Sequence, residues 1–107
     1  MLTAAVSGLV TLTLTVNNPS AIPATIDFSS GQRCDFTISD ASTGTPLWRW
    51  GADMLFTQAL SAETIPAHGT LVYSAEWKPP ANGDYVATGS LVSRSHRASA
   101  NATVSVP

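Results

Sequence analysis

The stretch VTLTLTV, residues 10–16, decides the fold. Valine and leucine take every second position and threonine fills the positions between, so a pleated backbone puts all the apolar side chains on one face. β-Branched threonine on the other face suits a sheet surface open to water. The stretch reads as a half-buried strand. Towards the N-terminus the segment LTAAVSGL continues it, and residues 2–16 are expected to form one strand. The segment is too short for a membrane span, which takes about 18 or more apolar residues, and the first basic residue is Arg33, so no charged leader precedes it. A methionine set directly before a strand reads as the mark of a piece cut from a longer protein.

Towards the C-terminus the same period recurs between clear breaks. NNPSAIP, residues 17–23, is a turn, because Pro19 and Pro23 lack amide donors. Ile22, Ala24, Ile26 and Phe28 alternate after it, Gly31 punctuates, and Cys34, Phe36 and Ile38 alternate up to Asp40. DASTGTP is a loop, Pro46 to Trp50 is short and extended, and a turn spans Pro66 to Gly69. Leu71, Tyr73, Ala75 and Trp77 then share one face. KPPANGD ends that strand, and Tyr85–Val92 and Ala98–Val106 read as the last two, with Ala98, Ala100, Ala102, Val104 and Val106 on one side. No stretch carries a convincing helical period; Gly51 to Leu60 holds at most one turn. About seven or eight short strands between regular turns predict an all-β, immunoglobulin-like antiparallel β-sandwich. Tyr85, after Gly83, stands where such sandwiches place a corner tyrosine whose hydroxyl returns to upstream backbone.

The chain has 107 residues, enough for one buried core without staples, and residues 1–107 are read as a single domain. Only 11% of the residues are charged, and five basic against seven acidic residues leave a net charge of −2, too little positive charge to neutralise a phosphate backbone. Nucleic acid and membrane insertion are therefore not expected. The one cysteine, Cys34, pairs with nothing in the chain and alternates with Phe36 and Ile38, so it is read as a small buried hydrophobe.

Catalysis has little to work with. His68 and His96 lie in separate turns and are expected to be solvated, Asp27 and Asp35 fall on the outward phase of their strands, and neither a zinc-type ligand spacing nor a phosphate-cradling glycine motif occurs. The chain is read as a non-enzyme with no cofactor and no metal. SRSHR, residues 93–97, is expected to be a hairpin tip kept soluble by its charge. Asn101-Ala-Thr103 matches the glycosylation acceptor pattern, a weak signal by itself.

Taken together, FSSGQ at 28–32, WRWG at 48–51, MLFTQAL at 54–60, IPAHGTLVYSAEW at 65–77 and GDYVATGSL at 83–91 resemble the intracellular proteinase inhibitor family, the BsuPI domain. The most specific pieces are Phe28, Gly31 and Gln32, then Trp48 with Phe56-Thr57-Gln58, then Trp77 and the Gly83/Tyr85 pair. The chain departs from the family's pattern at Gly51, where serine is more usual, and at AHG, residues 67–69. The resemblance implies an immunoglobulin-like sandwich and a protein partner, possibly a subtilisin-type serine proteinase. It carries no reactive-site residue over to this chain, and the namesake's compartment would be the cytoplasm.

The pieces meet in WRWGADMLFTQAL, residues 48–60, which admits two readings. In one, Trp48 and Trp50 pack inward, Arg49 lies outward, Gly51 turns the backbone, Met54 and Phe56 re-enter the core as plugs, and Gln58 bonds loop backbone. In the other, Trp50, Met54 and Phe56 form an exposed anchor patch with Arg49 and Asp53 at its rim. Arg49, Trp50, Asp53, Met54 and Phe56 are thus the candidate partner-binding residues. An accessory adhesion or spacer module of a larger envelope or secreted protein is the alternative to inhibition, and a tryptophan platform for carbohydrate is a third reading. The target, the compartment and the oligomeric state stay open.

Overall fold

The computed structural model describes the backbone of residues 1–107 and every side chain except that of residue 53. Among the described residues the strands are β1 (Leu2–Ser7), β2 (Leu9–Asn17), β3 (Ala24–Phe28), β4 (Cys34–Asp40), β5 (Pro46–Arg49), β6 (Ser61–Ile65), β7 (Thr70–Trp77), β8 (Gly83–Leu91) and β9 (Ser99–Val106), with one short 3-10 turn at Trp50–Asp53. All pairings are antiparallel. One sheet has the order β1-β2-β7, a second β5-β4-β8-β9, and β3 pairs with β6 in a two-stranded ribbon.

The alternation of VTLTLTV does what its period requires. Val10, Leu12 and Leu14 are buried and meet Ala75 and Trp77 of β7, Phe36 and Ile38 of β4, Tyr85 and Ala87 of β8 and Val104 of β9 in one cluster between the two larger sheets. This is the all-β sandwich expected, with two sheets burying their inner faces against each other. The corner tyrosine is present: Tyr85 donates its hydroxyl proton to the carbonyl of Ala81 at 2.7 Å.

Two points about the strands differ from the expectation. Residues 2–16 are two strands rather than one, because the chain reverses at Gly8, whose φ of +76° suits a residue without Cβ, and Ser7 then faces Leu9. The strand β6 was not expected at all. SRSHR joins β8 to β9 as the hairpin tip expected, with Arg94, His96 and Arg97 exposed, and it is also tied to β3: Arg94 N donates to Asp27 O at 2.9 Å, Ser93 Oγ donates to the same carbonyl at 2.7 Å, and Asp27 N donates to Ser95 Oγ at 2.9 Å. The segment lies along the edge of β3 and satisfies backbone groups that would otherwise stay open.

β2 and β3 run antiparallel to β7 and β6 as two long strands interrupted at the same level, since Asn17 faces Thr70 and Ala24 next faces Ile65. Asn18 joins the two breaks. It is buried, its Nδ2 donates to the carbonyls of Ile22, Ile65 and Pro66 at 2.9–3.2 Å, and its backbone N donates to Gly69 O. Beyond the break Ile26, Phe28, Ile65 and Leu91 form a second, smaller core. That core supports the turn at residues 29–33, which in turn holds the site.

Candidate functional site

The segment after β5 is carried out of the sandwich and fastened at both ends. At its start the Asp35 carboxylate is the hub. Its Oδ1 accepts from Gly51 N and from Phe36 N, each at 2.9 Å, and its Oδ2 receives Arg49 Nε at 3.2 Å. Its outward phase on the strand would by itself leave Asp35 a solvated surface charge. Its side chain is 17% exposed and pins the 3-10 turn to β4, whereas Arg49 is 59% exposed. The outward phase was read correctly, but the outer face of β4 is covered here by the turn that the carboxylate binds. Gly51 has to be small for this: a Cβ there would meet Gln32 Nε2 at 2.8 Å and the Asp35 oxygens at 3.1 and 3.2 Å.

Aromatic packing holds the middle. Trp50 stands edge-on to Phe36 at 6.2 Å between centroids, and Phe56 packs on Trp50 at 5.8 Å. Trp48 lies against Trp77 at 6.4 Å, and Trp77 meets Tyr85 edge-on at 4.9 Å. All three tryptophans thus pack on the core, Trp77 buried and the other two half-buried, so none stands out as a flat platform for a sugar ring.

At its far end Gly31 N donates to Thr57 O at 2.8 Å. The approach is so close that a Cβ on Gly31 would lie 2.5 Å from Thr57 Oγ1. The turn bearing Gly31 is itself held by Arg33, whose guanidinium donates to Ser30 O, Ser61 Oγ and Glu63 Oε1 and sits 4.4 Å above the Phe28 ring. Glu63 Oε2 accepts from the Tyr73 hydroxyl at 3.0 Å. Burial, then the bond to this carboxylate, pushes the Tyr73 phenol well above its ordinary range, so it stays a donor.

Between these fastenings the backbone leaves the 3-10 turn in an extended conformation, with φ −102° and ψ 148° at Met54. Met54 is 43% exposed and Leu55 is 99% exposed. The structure therefore divides the two readings of this stretch. Trp50 and Phe56 are half-buried braces, and Gln58 Nε2 donates to Phe56 O at 3.2 Å as the packed reading requires. Met54 is not a core plug. The 3-10 turn resets the strand phase that would have pointed it inward, and its side chain stays at the surface. Arg49 lies at the rim, tied to Asp35. The side chain of Asp53 lies outside the described residues.

Sequence reasoning missed Leu55, the most exposed large apolar residue of the segment, because the 3-10 turn before it leaves no strand phase to read. The Arg33–Glu63–Tyr73 network was missed as well.

Elsewhere His68 and His96 are both exposed. His96 lines a groove of about 290 Å³ with Arg97, Asn18, Ile26, Ile65 and Leu91 among others, and among the described residues no carboxylate side chain lines it. Cys34 is buried, and burial first, with the neighbouring Asp35 charge second, pushes its thiol up to about 11.

The intracellular proteinase inhibitor family, BsuPI, matches residues 3–96. The chain belongs to that family. The match runs from β1 through the segment along β3 and includes the whole braced loop. Among curated proteins, none matches the chain. The family is described by inhibition of a proteinase, which implies a protein partner, and Phe28, Gly31, Gln32 and Phe56-Thr57-Gln58, among the pieces that carried the resemblance, gather around the fastenings of the 51–60 loop.

Proposed function

We propose that this BsuPI chain is a non-catalytic domain that binds and inhibits a serine proteinase of the subtilisin type, and that the loop from Trp50 to Leu60 is its contact face, with Arg49 at the rim. The observation that carries the reading is a protruding apolar segment held rigid from both sides before any partner arrives. A loop that enters a proteinase cleft from a disordered state loses about 0.5–1.5 kcal/mol per side chain that must be ordered on binding. Here the Asp35–Gly51 bond, the Trp50–Phe56 contact and the Gly31–Thr57 bond make that ordering part of folding. A disulfide does this in many small inhibitors; aromatic packing and two hydrogen bonds from glycine amides do it in this chain.

The test is titration of the purified domain into a panel of subtilisin-type proteinases with residual peptidase activity as the readout. Saturable loss of activity at a fixed stoichiometry is expected for at least one of them. Rapid digestion of the domain with full activity retained across the panel would refute the reading.

A further inference from the structure

We infer that Leu55 is the residue that enters the primary specificity pocket of the proteinase, and that the target is one that selects a large apolar side chain there. The inference rests on the inhibitory reading above and names its anchor and the specificity of its partner.

Several other large apolar side chains are exposed, and their settings separate them from Leu55. Val72 sits within β7, with neighbours paired to β2, and Leu47 sits in β5, paired to β4, so neither is on backbone free to enter a cleft. Ile22 lies in the turn sewn down by Asn18, its carbonyl already accepting from Nδ2. Leu60 directly precedes β6, beyond the last fastening at Thr57. Leu55 alone combines nearly complete exposure with a preceding residue in extended conformation outside any sheet and a brace on each side, at Gly51 and at Thr57.

That combination is what a serine proteinase cleft takes. The enzyme receives its substrate as an extended segment added to the edge of its own sheet, using backbone hydrogen bonds for affinity and a side-chain pocket for selection. Met54 is extended and residues 54–60 lie outside any strand, and a leucine 99% exposed can enter a pocket without first leaving a core. From Met54 to Leu60 the sequence MLFTQAL carries no charge, so nothing in it opposes entry into an apolar pocket or favours one lined by a carboxylate.

The experiment compares the wild-type domain, Leu55→Asp, Leu55→Lys and the remote control Ile22→Asp against two groups of serine proteinases, one with an apolar and one with an acidic primary pocket. Thermal unfolding of each variant is recorded in parallel, and because Leu55 touches no core the two Leu55 variants are expected to unfold with the wild type. Expected are inhibition of the apolar-pocket group by the wild type and by Ile22→Asp, a rise in Ki of about 100-fold or more with Leu55→Asp, as for a central hot spot, and gain of inhibition of the acidic-pocket group by Leu55→Lys. If the wild type inhibits and Leu55→Asp inhibits within about threefold of it, Leu55 is not the anchor, while the inhibitory reading stands. If the wild type inhibits no member of either group, the inhibitory reading fails and the assignment of Leu55 falls with it.

Discussion

Replacing Gly31 by alanine should loosen the loop from its far end. An added Cβ would lie 2.5 Å from Thr57 Oγ1, 3.3 Å from Thr57 N and 3.6 Å from Thr57 Cβ. The hydroxyl can swing away by a change of χ1, but the backbone nitrogen cannot, so residue 57 has to retreat by a few tenths of an ångström and stretch the 2.8 Å bond from residue 31 N to Thr57 O. Overpacking of this kind costs about 1–3 kcal/mol, and the weakened backbone bond contributes about 0.5–1.5 kcal/mol of related loss. Against this, alanine restricts the unfolded chain and returns about 0.4–1 kcal/mol. The central values of these terms leave a net local cost of about 2 kcal/mol, which corresponds to about a 30-fold rise in the opening of the loop. Hydrogen exchange at the residue 31 amide reads that opening, and urea unfolding followed by tryptophan fluorescence reads the global share. The decisive variant is the pair Gly31→Ala with Thr57→Ala, which deletes the hydroxyl that the new methyl strikes. A coupling of about 1 kcal/mol between the two substitutions is expected, whereas independent sites add to within about 0.3–0.5 kcal/mol. Additive effects, or an amide at residue 31 as well protected in Gly31→Ala as in the wild type, would show that the close approach does not hold the loop.

Asp35→Ala should leave Gly51 N without its acceptor and cost about 1–3 kcal/mol, while raising salt alone should cost the wild type well under about 1 kcal/mol, because the Arg49 partner is largely solvated; equal losses in the two measurements would place the energy in the ion pair instead. Tyr85→Phe deletes the bond to Ala81 O and should lower stability by about 0.5–1.5 kcal/mol in denaturant titration with no change in loop exchange; no loss at all would make the corner bond ornamental. Cys34, raised from an ordinary 9.0 to about 11, holds its proton more tightly folded than unfolded. Its contribution to stability is therefore complete below about pH 9 and fades as the pH climbs towards 11, and a thiol reagent at neutral pH should label the native protein far more slowly than the urea-unfolded chain. Equal labelling rates would mean that the thiol is neither buried nor shifted.

How much of this was legible depended on whether a residue's partner set its phase. β2, β4, β7 and β8 could be read because their inward positions are uniformly apolar, as in Val10, Leu12 and Leu14 or in Cys34, Phe36 and Ile38. β6 was hidden by its own function: its inward-phase residues are Ser61, Glu63 and Ile65, and the first two are polar because they hold Arg33 and Tyr73. Gly8 sat inside what looked like unbroken alternation, so the β1–β2 hairpin read as one strand. In the loop, the outward Arg49 and the half-buried Trp50 and Phe56 follow the packed reading, because strand phase extends to residue 50 and aromatics in a small sandwich pack on its core. Met54 and Leu55 were not resolved, since the 3-10 turn breaks the phase and no neighbouring strand restores it.

Several of the pieces that carried the BsuPI resemblance fall on one mechanical path, and that path separates stability from selection. Phe28 lies under Arg33, Arg33 fixes the turn that bears Gly31, Gly31 grips Thr57, Gln32 fits beneath Gly51, and Phe56 leans on Trp50. Each of these residues touches another, so a change in any of them moves the loop as a body and carries a cost in folding. The Leu55 side chain packs on none of them. A side chain 99% exposed is not tied to the core by packing, and its replacement changes what the loop offers to a pocket without changing how the loop is held. Variants along the path should therefore shift loop exchange and inhibition together, while variants at Leu55 should shift inhibition alone. A loop built this way can be retargeted at one position while its frame is left intact.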